Sequence, residues 1–344
     1  MGRTLAAILF LGALAWCGWW ILGRGGPGAG DTTGAAAPVV DGAAGPALEP
    51  KELVEGGRHA PESSALRSRL QKGESGEAVA EARAIPNERL RLPGVAAAAR
   101  DAALAVAAEP AKDPAERLSR ADAARRLLAR LAVEDAVPYS SVKQPIEALN
   151  REVLFARKEI PGVVFRGSVR PGDTLDGLMR GAWKGRVRAG YGAVLWLNSV
   201  ASPDRLRAGS ISVPEEPVRI LVRKSTHELW LLLGDVPVRT WPVGLGEGGR
   251  TPEGEFVIGT LQPKPDYWPP QGKRIPFGQK GNPLGTRWMG FRDTPEAQGF
   301  GIHGTDEPDS IGKDLSQGCV RLRNSDVEQL FTWVTVGTRV EIRP

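Results

Sequence analysis

A chain of 344 residues is long for one compact core and predicts more than one domain. Glycine at 43 and proline at 28 together demand extensive loops or linkers. The formal charge of +5 suits an anionic partner, but no basic run interleaved with aromatics occurs, which argues against nucleic acid.

The first segment is apolar. Thr4 to Gly23 carries no charge, follows Met1-Gly2-Arg3 and precedes Arg24. As a helix it is long enough to cross a hydrocarbon core of about 30 Å. Trp16, Trp19 and Trp20 suit a membrane interface. Ala13-Leu14-Ala15 resembles a signal-peptide cleavage site, but the apolar run continues through Ile21 and Leu22, which favours an uncleaved anchor. Residues 1–24 are therefore expected to anchor the chain in the cytoplasmic membrane or to export it. Arg3 keeps the N-terminus cytoplasmic, so the body lies outside, in the periplasm or wall. Residues 25–60, rich in Gly, Ala and Pro, have too few large apolar groups to fold and read as a disordered linker.

Residues 61–160 read as helical. Val95 to Ala108 is an alanine-rich run, and Leu118, Ala121, Leu127, Leu128 and Leu131 recur at helical spacing. Asp113-Pro114 reads as an N-cap followed by proline at the first helical position. Ser141 to Lys158 is a further helical candidate. The region is either a docking surface for a protein partner or a spacer; the sequence leaves both open. Pro161-Gly162 marks a break, after which short β-branched segments and turn signals take over.

Residues 163–215 contain a strand, the turn Pro171-Gly172-Asp173, and a helix capped by Asp173 or Thr174. Leu195-Trp196-Leu197-Asn198 and Arg207-Ala208-Gly209 followed by Ile211-Ser212-Val213-Pro214 complete the pattern. This segment resembles a LysM module. The resemblance implies a small βααβ fold that binds glycans containing N-acetylglucosamine, with Gly172, Asp173, Thr174 and Asn198 as candidate glycan-binding residues.

Residues 217–344 begin as an all-β pattern. Val218 to Val222, Glu228 to Leu233 and Val236 to Val243 alternate as strands around turn signals. Thr251-Pro252-Glu253-Gly254-Glu255-Phe256 introduces another strand. The Pro- and Gly-rich stretch from Pro263 to Gly285 is long enough to be a functional loop such as a lid. Two motifs follow, Gly301-Ile302-His303-Gly304-Thr305 and Ser316-Gln317-Gly318-Cys319-Val320-Arg321.

These motifs hold what thiol catalysis needs. Only the thiolate attacks well, and a free thiol of pKa about 8.5 is mostly protonated at neutral pH. An imidazole can take that proton if its second nitrogen is fixed by an acceptor. An oxyanion then needs backbone N–H donors. Arg321 adds a guanidinium suited to a substrate carboxylate. Cys17 and Cys319 cannot pair, since one lies in the apolar leader and the other in the body. Three histidines and two cysteines at scattered positions are too few for a structural zinc site, so no metal or cofactor is expected.

The motifs of this region resemble the L,D-transpeptidase catalytic (YkuD) domain. Leu245-Gly246 with Arg250 to Phe256, Asn282-Pro283-Leu284-Gly285, Arg287-Trp288-Met289 and Asn324-Ser325-Asp326-Val327 match in order. One position departs: many members have a second histidine where this chain has Gln317. The resemblance implies a mostly-β sandwich and a cell-wall reaction on peptidoglycan. Cys319 is the expected nucleophile, His303 the base, and the Gly304 carbonyl its orienting acceptor. Backbone N–H groups of Gly318 and Cys319 are the expected oxyanion donors. Ser316, Gln317, Arg321, Arg287 and Trp288 are the expected substrate-binding residues. The fold class overall is α+β multidomain: membrane helix, helical region, βααβ module and C-terminal β domain. The expected reaction is acyl transfer from a tetrapeptide stem to an amine. Hydrolysis by the same thiol, as a carboxypeptidase or endopeptidase, and a non-catalytic wall-binding protein are the alternatives.

Overall fold

The computed structural model describes residues 60–269, 272–295 and 297–344. The expected anchor and nearly all of the expected linker lie outside the described residues. Among the described residues, no helix is long and apolar enough to cross a membrane.

Six helices come first: α1 (Pro61–Gln71), α2 (Ser75–Ala84), α3 (Asn87–Leu90), α4 (Pro93–Ala108), α5 (Pro114–Val133) and α6 (Tyr139–Leu154). The Asp113 carboxylate accepts from the N–H of Ala115 at 2.7 Å and of Glu116 at 2.9 Å, closing the N-terminus of α5. Ala98, Ala99, Ala102 and Ala103 of α4 are fully buried, and their small side chains let α5 approach closely with Leu127, Leu128 and Leu131. Each such leucine contributes roughly 1.5–3 kcal/mol by leaving water.

This bundle is not a loose spacer. Its core is continuous with that of the C-terminal sheet. Arg125, fully buried on α5, pairs with Asp122 at 2.6 Å and Glu216 at 3.4 Å and donates to Asn150 Oδ1 at 3.3 Å. Arg223 donates to the carbonyls of Ala132 and Val133, both at 2.8 Å, capping the C-terminal end of α5 from the sheet.

The next unit is βααβ: β1 (Val164–Val169), α7 (Leu175–Arg180), α8 (Tyr191–Leu197) and β2 (Gly209–Pro214), with β1 antiparallel to β2. Phe165, Leu175, Leu178, Trp183, Val194 and Val213 form its separate small core. Gly167 is required there, because a Cβ would lie 2.7 Å from the Trp183 ring.

The four candidate glycan-binding residues each take part in the fold, and Gly172, Asp173 and Thr174 remain exposed. Gly172, at φ +89°, makes the turn. Asp173 accepts from the Arg170 N–H at 2.8 Å, and Thr174 Oγ1 caps α7 by accepting from the Gly177 N–H at 3.1 Å. Asn198 donates to the carbonyls of Val194 and Ser212, both at 2.7 Å, and accepts from the Ser212 N–H at 2.8 Å. No amide hydrogen of Asn198 is left for a sugar.

The C-terminal region contains β3 (Val218–Arg223), β4 (Glu228–Leu233), β5 (Val236–Pro242), β6 (Leu245–Gly246), β7 (Gly254–Pro263), β8 (Arg287–Phe291), β9 (Gly301–His303), β10 (Asp314–Ser316), β11 (Val320–Arg321), α9 (Asn324–Trp333) and β12 (Arg339–Arg343). The hydrogen-bonded order is β11-β9-β8-β7-β12-β3-β4-β5, with β6 and β10 forming a parallel pair apart. Pairing runs continuously through eight strands, so the expected sandwich is realised as one curled sheet. β11 lies parallel to β9 and β12 parallel to β3; the other neighbours in the large sheet are antiparallel.

Candidate active site

The site is built at the β11 end of the sheet. In the β9–β11 pair, Ile302 aligns with Val320 and His303 with Arg321. That register sets Cys319 beside Gly301, two residues from His303 along β9. Gly301 has no room for a side chain, since a Cβ would meet the Met289 carbonyl at 2.6 Å and the Trp288 ring at 2.9 Å.

His303 is buried, with 4% of its surface exposed. Its Nδ1 lies 2.5 Å from the Gly304 carbonyl, which can only accept. The Nδ1 therefore carries the proton, and Nε2 presents a lone pair. Burial lowers the imidazole pKa to about 4; the Gly304 carbonyl opposes this, and the Arg321 charge adds to it. The ring is thus neutral at neutral pH. Trp288, its cross-strand partner, packs with ring centroids 5.8 Å apart.

Burial raises the pKa of the Cys319 thiol, while contact with the Gly301 backbone and the Arg321 charge work in the other direction. Burial thus disfavours the charged form of both groups, thiolate and imidazolium.

The turn before Cys319 is fixed from within. Ser316 Oγ donates to the Cys319 carbonyl at 2.7 Å and accepts from the Gly318 N–H at 3.0 Å. Gly318 has φ +136°, and a Cβ there would lie 2.3 Å from the Phe300 ring. Gly246 packs against it from the other side, and the Thr251 hydroxyl holds the Gly246 N–H at 2.7 Å. The Gly318 N–H is engaged with Ser316. The Cys319 N–H has no hydrogen-bond partner among the described residues.

Of the expected substrate-binding residues, Ser316 is buried and acts on the turn, while Gln317 is exposed at its tip. Arg321 is largely buried. Its guanidinium meets Glu307 at 2.9 Å, and its buried Nε has no partner among the described residues. Arg287 is a correction. Strand alternation turns it to the face opposite Trp288, where it lies 5.5 Å from the Phe331 ring and 3.7 Å from Glu328 of α9.

One residue of the site escaped sequence reasoning. Asn324, the first residue of α9, accepts from the Thr286 N–H and donates to the Thr305 carbonyl, both at 3.0 Å. Its carboxamide lies against Gly285 and Gly304; at either, a Cβ would come within 2.2 Å of Oδ1. The paired glycines were the available signal, because a backbone that must admit a side chain so closely tolerates only glycine. Asn324 thereby ties Thr305, the residue after Gly304, to the segment that leads into β8.

The L,D-transpeptidase catalytic domain family, YkuD, matches residues 217–342. YqjB of Bacillus subtilis (strain 168), named as an L,D-transpeptidase, is 39% identical over 137 residues, 39% of this chain and 75% of that protein. YkuD of Bacillus licheniformis, also named as an L,D-transpeptidase, is 35% identical over 184 residues, 51% of this chain and 97% of that protein. Among solved structures, an L,D-transpeptidase from Mycobacterium smegmatis is similar with a TM-score of 0.30 and 17% identity. That likeness covers 40% of this chain and 65% of that one.

Proposed function

The chain belongs to the L,D-transpeptidase family, and from that premise we propose that it cross-links peptidoglycan through a thioester on Cys319. The donor is a tetrapeptide stem. Cys319 Sγ attacks the carbonyl of the third residue while His303 Nε2 takes the thiol proton. The Cys319 N–H stabilises the oxyanion. Collapse breaks the peptide bond, and His303 returns the proton to the leaving D-alanine amine. An amine of a neighbouring stem then attacks the thioester, yields its proton to His303, and expels the thiolate, which recovers that proton. The product is a 3–3 cross-link.

The observation that carries this reading is the contact between His303 Nδ1 and the Gly304 carbonyl. A carbonyl on Nδ1 leaves Nε2 as a free base in a buried, neutral ring on the strand aligned with the cysteine turn. The βααβ unit is proposed to hold the enzyme on the wall. In support, the match to the Bacillus licheniformis relative is longer than the catalytic match, so the likeness continues outside residues 217–342. The apolar run from Thr4 to Gly23 supports action outside the cytoplasmic membrane, with that run as anchor or export signal.

The test is mass spectrometry of the protein with disaccharide-tetrapeptide. Loss of D-alanine with a dimer joined 3–3, absent in Cys319→Ala, is the expected result. D-alanine release without dimer would make water the acceptor. No acyl-enzyme and no release would leave a binding protein.

A further inference from the structure

The βααβ unit has a feature that acyl transfer does not use. Residues 163–215 carry eight basic and four acidic side chains, so most of the chain's excess of +5 sits there. A cleft of about 700 Å³ opens between the segment after α6, strand β1 and the connection from α8 to β2. Arg157, Arg166, Arg205 and Arg207 line it, and no Asp or Glu does.

These arginines differ from most in the chain. Arg186 of the same unit, for example, is paired with Glu215. Among the described residues, Arg157, Arg205 and Arg207 meet neither a carboxylate nor any hydrogen-bond acceptor. Arg166 is held in place by Ser210 Oγ at 3.1 Å, Ser212 Oγ at 2.6 Å and the Ser210 carbonyl at 2.6 Å. One guanidinium is thus fixed on the cleft wall, and three surround it with their donors free. Four like charges around one opening repel each other, and an anion placed among them removes that cost. Guanidinium groups favour planar oxyanions that accept two hydrogen bonds at once. No aromatic ring lines the cleft, so it lacks the flat apolar face on which a neutral sugar would stack.

We infer that this cleft binds an anionic peptide bearing two or more carboxylates. The proposed substrate reading supplies the source, since free peptide stems of the wall present that chemistry. The unit would then hold peptidoglycan by its peptides rather than by its sugars.

Equilibrium dialysis tests this with the full chain carrying Cys319→Ala and disaccharide-tetrapeptide as the probe. Two probes per chain are expected, one of them weakened by salt. Adding Arg157→Ala, Arg205→Ala and Arg207→Ala should weaken that second site by about tenfold or more. An unchanged melting temperature would show that the variant is folded, because Arg166 and the small core are untouched. A single site in both proteins, a second site that survives the triple substitution, or one filled by inorganic phosphate or a neutral N-acetylglucosamine oligomer but not by the tetrapeptide would overturn the inference. The two readings fail separately. If the unsubstituted chain releases no D-alanine yet loses an anion site with the arginines, the cleft stands and the catalytic reading falls.

Discussion

The hydroxyl of Ser316 donates to the carbonyl of Cys319 at 2.7 Å while accepting the N–H of the intervening Gly318. One buried oxygen therefore closes the turn that presents the thiol, and it decides which backbone N–H is left free.

Ser316→Ala should break that closure. Two backbone groups lose their partner, at about 1–3 kcal/mol of stability in a buried site. Turnover should fall by about 100-fold, because misplacing a nucleophile by about 1 Å costs that much. Steady-state kinetics beside a denaturant titration will separate the two effects. Full activity in Ser316→Ala would show that the turn holds itself.

The acid limb of activity should report His303. Its pKa of about 4 predicts a neutral base from neutral pH down to about pH 4, and kcat/KM that falls as pH drops through that value. Stability follows the same group. Between the unfolded histidine value of about 6.5 and the folded value of about 4, only the unfolded chain takes up the proton, so stability falls as pH falls across that window. The loss is on the order of 3 kcal/mol. His303→Gln should flatten it, as measured by melting temperature between pH 7 and pH 4.

The charge of Arg321 opposes the burial that raises the Cys319 pKa, and Glu307 partly offsets that charge. Glu307→Gln should therefore lower the thiol pKa and speed alkylation by iodoacetamide at pH 7. Arg321→Gln should raise it and slow the reaction. Alkylation rates from pH 6 to 10 give both directions, and parallel shifts in the two variants would refute the electrostatic account.

Arg125→Ala should leave Asp122 and the buried Glu216 to share the single charge of Arg126, which meets them at 2.7 and 2.5 Å. Removing one partner from a buried ion pair costs about 3–5 kcal/mol. The expected result is a lower denaturant midpoint and weaker attachment of α5 to the sheet, seen as faster amide exchange across Leu127–Val133. Arg125→Met, which also lacks the charge, should not restore it.

The legible parts of the site were contiguous in the chain. Gly301 to Thr305 and Ser316 to Arg321 each carry their chemistry within six residues, and the β segments from Val218 to Val243 announce themselves by alternation. What stayed hidden depends on pairing at a distance. Arg125 and Glu216 are 91 residues apart, and no periodicity reports that they meet. Asn324 reaches Thr286 across 38 residues. The face taken by Arg287 follows from the β8–β9 register, and the engagement of the Gly318 N–H from how tightly the turn closes. The four candidate residues of the βααβ unit also serve the fold, because turn, cap and bridge positions use the same polar side chains that a binding surface would.

The strand order also governs when this molecule can become active. β12, formed by Arg339–Arg343, runs between β3 and β7 and joins the half of the sheet against the helices to the half bearing His303. Until Arg339–Arg343 has paired with both neighbours, the chain holds two unjoined half-sheets. The thiol then sits in unfinished structure, so the site forms only once this strand has docked.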